Sequence, residues 1–131
     1  MREILFRGQT RRKGQKVWMD GTPVDSNWVE GYGVCMGKGD FSVIYAGDHV
    51  AKFPVYTDTV GQYTGLTDKN GKKIFEGDIL REESYLFVVV WVQAWAKFRL
   101  QNIGRCIQHP EWNRGIQMEI VGNIHDNPEL L

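Results

Sequence analysis

The sequence has no long apolar run and no excess of charge of either sign. Its longest apolar stretch, Tyr85 to Val92, is of strand length and far below the roughly 18 to 20 apolar residues that a membrane span needs. Sixteen basic and sixteen acidic side chains cancel, so no whole-molecule field favours nucleic acid or anionic lipid, although local patches survive a zero sum. We therefore expect no membrane segment and no membrane partner.

Cysteines and targeting signals are also scarce. The N-terminus places a few apolar residues, interrupted by charge, before a basic run, which reverses the order of a secretory signal. We therefore expect a soluble protein of the cytoplasm. The only two cysteines, Cys35 and Cys106, are then expected to be reduced thiols with no disulfide between them.

Helical periodicity is missing as well, which favours an all-β fold. No window sustains a period of 3.6 residues, and 15 glycines beside only four prolines indicate many turns and short strands. Alternating or apolar segments predict strands at residues 3–7, 17–19, 28–36, 41–45, 85–92, 94–100 and 116–120. We expect 3–7 and 17–19 to form a hairpin around a basic turn, a bulge or bend at Gly31 and Gly33, and 85–92 to be a central strand covered on both sides.

The connecting segments are predicted from their polar, glycine and proline content. Residues 21–27 and 101–115 are expected to be loops, and 46–59 is the expected boundary between two subdomains. At the end of the chain, Asn127 is a candidate cap for a single helical turn that Pro128 opens. The prediction is an N-terminal, hairpin-rich β part followed by a small barrel.

The block from Val60 to Leu80, VGQYTGLTDKNGKKIFEGDIL, predicts a β-hairpin and a following strand. The turn Asp68-Lys69-Asn70-Gly71 has residues that tolerate left-handed backbone, and Asn70-Gly71 suits a primed turn. Asp78 then opens the next strand.

This block, the opening residues 2–18 and the closing residues 119–131, EIVGNIHDNPELL, resemble the YopX family of phage and prophage proteins. His125 departs from the aromatic residue more usual there. The resemblance implies a phage or prophage origin, hence a bacterial cytoplasm. It also implies an N-terminal β subdomain at 1–57 and a small Src-homology-like barrel of the YopX type at 58–131. The family has no established activity, so the resemblance supplies no catalytic residue and no cofactor.

The residues that carry the central resemblance are all explained as turn or strand-entry residues, with no active site implied. They are Gly61, Gly65, Asp68, Asn70, Gly71, Gly77 and Asp78.

Catalytic and metal sites find little support in the sequence. Cys106 and His109, with Cys35 and His49 as distant completions, supply one close pair of ligands where a structural zinc site needs two. The carboxylate pairs Glu76 and Asp78, and Glu82 and Glu83, lie among turns and charges that predict a solvated surface. No strained serine elbow or phosphate-binding loop is present. We therefore expect neither metal nor cofactor, and favour a protein that is not an enzyme.

Two kinds of binding remain as alternatives. Protein–protein association is preferred because 16 aromatic residues exceed what one small barrel needs; the partner is either a second copy, forming a homo-oligomer, or a host or phage protein. Nucleic-acid binding is the runner-up, through the basic N-terminal hairpin with Trp18 or Trp95 as a stacking face. Its candidate residues are Arg7, Arg11, Arg12, Lys13 and Trp18.

Overall fold

The computed structural model describes residues 3–10, 17–19, 22–24, 28–46, 51–104 and 112–131, and these form an all-β protein. They hold thirteen strands joined by turns and short 3₁₀ segments, with no α-helix among them, and every strand pairing that they make is antiparallel. None of their helical turns is long and apolar enough to cross a membrane. The chain divides into two compact units, Met1–Gln62 and Tyr63–Leu131; the sequence-derived boundary at 57/58 stays a prediction.

The first unit is built from seven short strands and a 3₁₀ turn. These are β1 (Phe6–Gln9), β2 (Val17–Met19), β3 (Thr22–Val24), β4 (Trp28–Gly31), β5 (Gly33–Cys35), β6 (Phe41–Ala46), β7 (Ala51–Tyr56) and the turn Thr57–Thr59. The predicted hairpin between 3–7 and 17–19 is wrong, because β1 pairs with β4 and β2 pairs with β3. The strand β3 lies inside the predicted loop 21–27. Alternation identifies a strand but does not identify its partner.

The bend predicted at Gly31 and Gly33 is confirmed, because β4 ends at the first glycine and β5 begins at the second. Gly31 packs so closely that a Cβ there would overlap the carbonyl oxygen of Tyr45 and lie 2.7 Å from Ile44 Cγ2. The missing side chain therefore allows the backbones of β4 and β6 to approach each other.

The strand β6 was expected from its alternation and is confirmed. The next strand, β7, was not expected. The boundary predicted within residues 46–59 stays a prediction, but no strand was expected there. The strand β7 pairs with β6 over six consecutive residues, from Phe41 opposite Tyr56 to Ala46 opposite Ala51. Pro54 masked this strand in the sequence, because proline is uncommon inside a sheet and is tolerated on an edge strand, which β7 is.

The second unit contains the remaining strands and three 3₁₀ turns. They are β8 (Gly61–Thr67), β9 (Lys73–Phe75), β10 (Asp78–Glu82), β11 (Tyr85–Val92), β12 (Lys97–Ile103) and β13 (Glu119–Asn123), with turns Gln93–Trp95, Trp112–Gln117 and Pro128–Leu130. The strand β8 starts in the first unit, where Gly61 and Gln62 pair with β1. It then pairs with β9 in the second unit, through Tyr63 and Thr67.

The core of the second unit lies on one face of the sheet ordered β12-β11-β10-β13. Its buried side chains are Ile74, Leu80, Phe87, Val89, Leu100 and Met118. β11 lies between β10 and β12, as a central strand should. Its ends are open, with Tyr85 47% and Trp91 43% exposed. The prediction that β11 is covered on both sides is therefore confirmed only for the middle of the strand.

Four predictions for the C-terminal third need correction. The segment 94–100 is a strand only from Lys97, because Ala96 has a left-handed backbone with φ of 49° after a 3₁₀ turn. The loop predicted at 101–115 begins too early, since β12 extends to Ile103, and the last strand begins at Glu119 rather than 116. Pro128 does open the terminal turn, but the Asn127 side chain makes no capping bond.

Candidate protein-binding surface

The turn in the central block folds differently from the predicted primed turn. The Gly71 N–H donates to the Asp68 carbonyl at 3.0 Å, and Gly71 has φ of 79°. Asn70 has no positive φ, whereas a primed turn of type I′ needs left-handed backbone at both central residues. The loop therefore has a hydrogen-bonded turn over Lys69 and Asn70, followed by a left-handed glycine.

The Asp68 carboxylate is buried and accepts three backbone hydrogen bonds. Its Oδ1 accepts from the N–H groups of Asn70 and Lys72, both at 2.9 Å, and its Oδ2 accepts from Ile120 at 3.0 Å. Burial acts to raise the pKa of Asp68, but these three donors and the charge of Lys72 together hold that pKa below its ordinary value. The arrangement joins the hairpin turn to β13, and it offers no free acid or base.

The other motif residues also lie at turns and strand entries. Asp78 is 2% exposed and its Oδ2 accepts from the Phe75 N–H at 2.8 Å. Gly77, with φ of 90°, donates its N–H to the Val89 carbonyl at 2.9 Å. Gly65 has φ of 92° and lies where the register of β8 and β9 shifts. These contacts give each residue a role in the backbone geometry of the second unit.

The residues predicted for nucleic-acid and metal binding are only partly described. Arg7 is half-buried, with its guanidinium 4.6 Å from the centre of the Trp28 ring. Arg11, Arg12 and Lys13 lie outside the described residues, as does the side chain of Trp18. So do Cys106, His109 and His49, whereas Cys35 is exposed. Both binding predictions stay predictions.

An exposed, aromatic sheet surface lies in the first unit, between the sequence blocks 2–18 and 60–80. It is the outward side of the sheet β5-β6-β7, and strand register places its members side by side. Tyr45 lies opposite Lys52, and Phe41 lies opposite Tyr56. Between these pairs, Val43 lies opposite Cys35 on β5 and Pro54 on β7. We call this surface the aromatic face; its members are Cys35, Phe41, Val43, Tyr45, Lys52, Pro54 and Tyr56.

Two of the three rings of the aromatic face contact each other, and Phe41 is exposed while Tyr45 and Tyr56 are half-buried. Phe41 is 54% exposed, and its ring centre lies 4.8 Å from that of Tyr56 with the planes tilted by 33°. At the other end, the Lys52 Nζ lies 5.9 Å from the centre of the Tyr45 ring. The exposed Tyr32 and Met36 flank β5. Apolar rings held side by side on a sheet are suited to packing against another apolar surface.

The opposite side of the same sheet is buried and explains why these aromatic residues point outward. Ile44 and Val55 are fully buried there, and Ser42 is 2% exposed. The Ser42 hydroxyl accepts the Gly37 N–H at 3.0 Å and bonds the Thr57 hydroxyl at 2.9 Å. These bonds satisfy a polar side chain in the core, so the inner face contains a serine and the outer face the rings.

A second aromatic cluster lies in the second unit. The rings of Trp91 and Phe98 are 5.0 Å apart in an edge-to-face pair, and Phe98 is 5.8 Å from Trp112. Trp95, in the neighbouring turn, is 59% exposed, with the Lys97 Nζ 5.2 Å from its ring centre. Trp95 is therefore accessible to a ligand. The neighbouring rings of Trp91, Phe98 and Trp112 already contact one another.

One buried polar side chain in the second unit has no evident structural purpose. Asn102, on β12 opposite Phe87, has both polar atoms of its amide buried, with no hydrogen-bond partner in the described part of the chain. Burying such a group without partners costs free energy. Nothing in the sequence around Asn102 indicated this.

The chain is similar to one protein family and to a solved structure. A family model described as "YopX protein" matches residues 24–131, which is most of the chain. No curated protein matches. Among solved structures, the crystal structure of protein EF1440 from Enterococcus faecalis is similar at 22% identity and a TM-score of 0.49, covering 98% of this chain and 97% of that one.

Proposed function

Because the chain belongs to the YopX protein family, we propose that it is an accessory protein of phage or prophage origin that acts by binding another protein rather than by catalysis. The aromatic face is the observation that carries this proposal. It combines three aromatic side chains, a proline and a valine with a single cation, Lys52. Interface centres are enriched in aromatic residues and depleted of charge.

The charges near the aromatic face favour protein over nucleic acid as the partner. The described charged residues next to it are mixed in sign, with Lys38 and Lys52 exposed beside the exposed Asp40 and Asp58. Nucleic-acid binding needs a basic surface that neutralises phosphates, whereas a mixed rim around an apolar centre is typical of protein interfaces.

The proposal includes a finer architecture and a location. Residues 58–131 are proposed to form a small barrel of the Src-homology type, next to an N-terminal β subdomain at 1–57. The support is the antiparallel order β12-β11-β10-β13 around one apolar core. The proposed location is the cytoplasm of a bacterial host.

The test is affinity capture from phage-infected host cells with nuclease present, comparing the native chain with Phe41→Ser. Serine removes an exposed ring at little cost in stability. We expect a protein captured by the native chain to be lost with Phe41→Ser and retained with Trp95→Ser, the matched control at an exposed ring of the second unit. Equal capture by all three chains would contradict binding through the aromatic face.

Nucleic-acid binding through the basic residues 2–16 is the alternative. In the second unit, Trp95 is a separate candidate for base stacking, because it is exposed beside Lys97. A labelled single-stranded oligonucleotide at low ionic strength tests binding through residues 2–16. A salt-dependent shift that Arg11→Ser, Arg12→Ser and Lys13→Ser together abolish would support this reading, and the lack of any shift would remove it.

A further inference from the structure

The exposed hairpin turn of the second unit contains an asparagine followed by a glycine, Asn70-Gly71. Of the six asparagines in the sequence, only this one precedes a glycine. The backbone nitrogen of the following residue can attack an asparagine side chain, and glycine hinders that attack least because it has no Cβ. We propose that Asn70 is a site of spontaneous deamidation, at a rate set by how often the turn held by Asp68 opens.

The reaction needs only these two residues and water. The Gly71 nitrogen loses its proton and attacks Asn70 Cγ, so that a C–N bond forms. The side-chain nitrogen takes up a proton from solvent and leaves as ammonia. The resulting succinimide ring adds water at either of its two carbonyl carbons and opens to aspartate or to isoaspartate. Both products carry a new negative charge, and isoaspartate also adds a carbon to the backbone between residues 70 and 71.

The structure leaves the reacting groups accessible. Asn70 and Gly71 are both exposed. A Cβ built on Gly71 would meet nothing within 4 Å, so a succinimide ring has room to form. The other asparagines of the second unit have hydrogen-bonded side chains, a buried amide, or a following residue with a side chain; these are Asn123 and Asn127, Asn102, and Asn113 respectively. Asn70 is therefore the asparagine of this unit best placed to react.

The same turn restrains the attack, because it holds the attacking nitrogen. The Gly71 N–H donates to the Asp68 carbonyl at 3.0 Å, and the nitrogen must leave this bond to reach Asn70 Cγ. The Asp68 Oδ1 fixes the N–H groups on either side, those of Asn70 and Lys72, at 2.9 Å each. Its negative charge also opposes the charge that develops on the Gly71 nitrogen. The reaction therefore proceeds from the open turn, and Asp68 determines how rarely the turn opens.

Modification in turn disturbs the bonds that Asp68 makes. An extra backbone carbon after residue 70 displaces Gly71 and Lys72, whose N–H groups both donate to Asp68. A carboxylate at position 70 also repels that of Asp68. The link between the turn and β13, from Asp68 Oδ2 to the Ile120 N–H at 3.0 Å, is then weakened. Deamidation thus destabilises the second unit as the protein ages, whatever the aromatic face binds.

The first experiment follows the modification in folded chains kept in mildly alkaline buffer. Peptide mass mapping locates the gain of a single mass unit, and Asn113, which is exposed but precedes an arginine, is the internal control. In Asp68→Ser the carboxylate is lost, and we expect Asn70 to react about tenfold faster than in the native chain. In Asn70→Gln we expect no gain at this position, because glutamine must close a larger ring.

Equal rates at Asn70 in the native chain and in Asp68→Ser, or a gain that collects at Asn113, would overturn the inference. Circular dichroism checks that Asp68→Ser is folded. If it is not, Asp68→Asn replaces it, since an amide oxygen still accepts the N–H groups of Asn70 and Lys72 and only the bond from Ile120 is lost. About fivefold acceleration is then expected, and an unchanged rate overturns the inference.

The second experiment measures the effect of the modification on stability. The native chain, aged until most of Asn70 is converted, is expected to melt about 4 °C below the fresh chain. The Asn70→Gln chain, aged in the same way, should keep its melting temperature. An aged native chain that melts with the fresh one, or an equal fall in aged Asn70→Gln, would contradict the predicted loss of the Asp68 bonds.

Discussion

The two units differ in the kind of polar side chain that they bury, which is a carboxylate in the second unit and an uncharged group in the first. In the second unit, the carboxylates of Asp68 and Asp78 are buried and accept backbone N–H groups. In the first unit, Ser42 is buried while Phe41 is exposed on the same strand. The buried carboxylates stabilise turns, and the buried Ser42 leaves Phe41 on the outer side of β6. The residues that carry the central resemblance thus explain turns of the fold, and the candidate binding surface lies over residues 35–56 of the first unit.

Removal of the Asp68 carboxylate should have the largest effect. In Asp68→Ala, the N–H groups of Asn70, Lys72 and Ile120 lose their acceptor, and we expect the free energy of unfolding to fall by about 4 kcal/mol. Urea denaturation measures it. Asp40→Ala, at an exposed carboxylate, is the matched control and should change stability by less than about 0.5 kcal/mol. Similar effects at both positions would remove the distinction between buried and exposed acids.

A comparable test in the first unit is Gly31→Ala. The new Cβ would overlap the Tyr45 carbonyl, so β4 and β6 must separate, at a cost of about 3 kcal/mol. Gly39→Ala is the control, because a Cβ at Gly39 would meet nothing within 4 Å. Thermal unfolding of the pair checks the prediction. Equal melting temperatures would show that the close approach does not constrain the first unit.

Acid should weaken the second unit through Asp68. Its folded-state pKa is below the ordinary value of 3.8, so the folded protein holds the proton less tightly than the unfolded chain. Its stabilisation is therefore complete above about pH 5 and is lost as the pH falls below 3.8 towards the folded pKa. Melting temperatures from pH 6 to 2.5 should converge between the native chain and Asp68→Asn. A constant difference would contradict the linkage.

The smallest expected effect is a gain in stability. Asn102→Leu replaces a buried amide that has no partner in the described residues with an apolar side chain of similar size, beside Phe87. We expect the free energy of unfolding to rise by about 1 kcal/mol, measured by urea denaturation. Asn102→Ala separates loss of the amide from gain of packing. A loss of stability in Asn102→Leu would mean that the amide is satisfied in solution.

Local turn chemistry made part of the fold predictable. Gly77, Asp78 and the hairpin around Asp68 follow from residue preferences that act over a few positions. Strand β11 followed from its β-branched and aromatic content. The predicted turn type was wrong because the preference of Asn70-Gly71 for a primed turn yields to the Asp68 carboxylate, which accepts the N–H groups of Asn70, Lys72 and the distant Ile120.

Strand partners and the choice of buried face depended on distant contacts. β1 pairs with β4 rather than with the next strand in the sequence, and alternation carries no information on that choice. On β6, alternation separates Phe41 and Tyr45 from Ser42 but does not tell which side is buried. Ser42 is buried because the Thr57 hydroxyl and the Gly37 N–H provide partners. To infer the aromatic face from the sequence, one would need to know that Ser42 finds hydrogen-bond partners in the core. Those partners lie outside β6, so the sequence of this strand does not show them.

Pro54 limits how any protein can meet the sheet β5-β6-β7. It lies in the middle of the edge strand β7, opposite Val43, and it has no N–H to offer to a further strand. Extension of the sheet by strand addition is therefore interrupted at this edge. Growth of the sheet by added strands on both sides is thus interrupted at β7, and strand addition is left to the short edge strand β5.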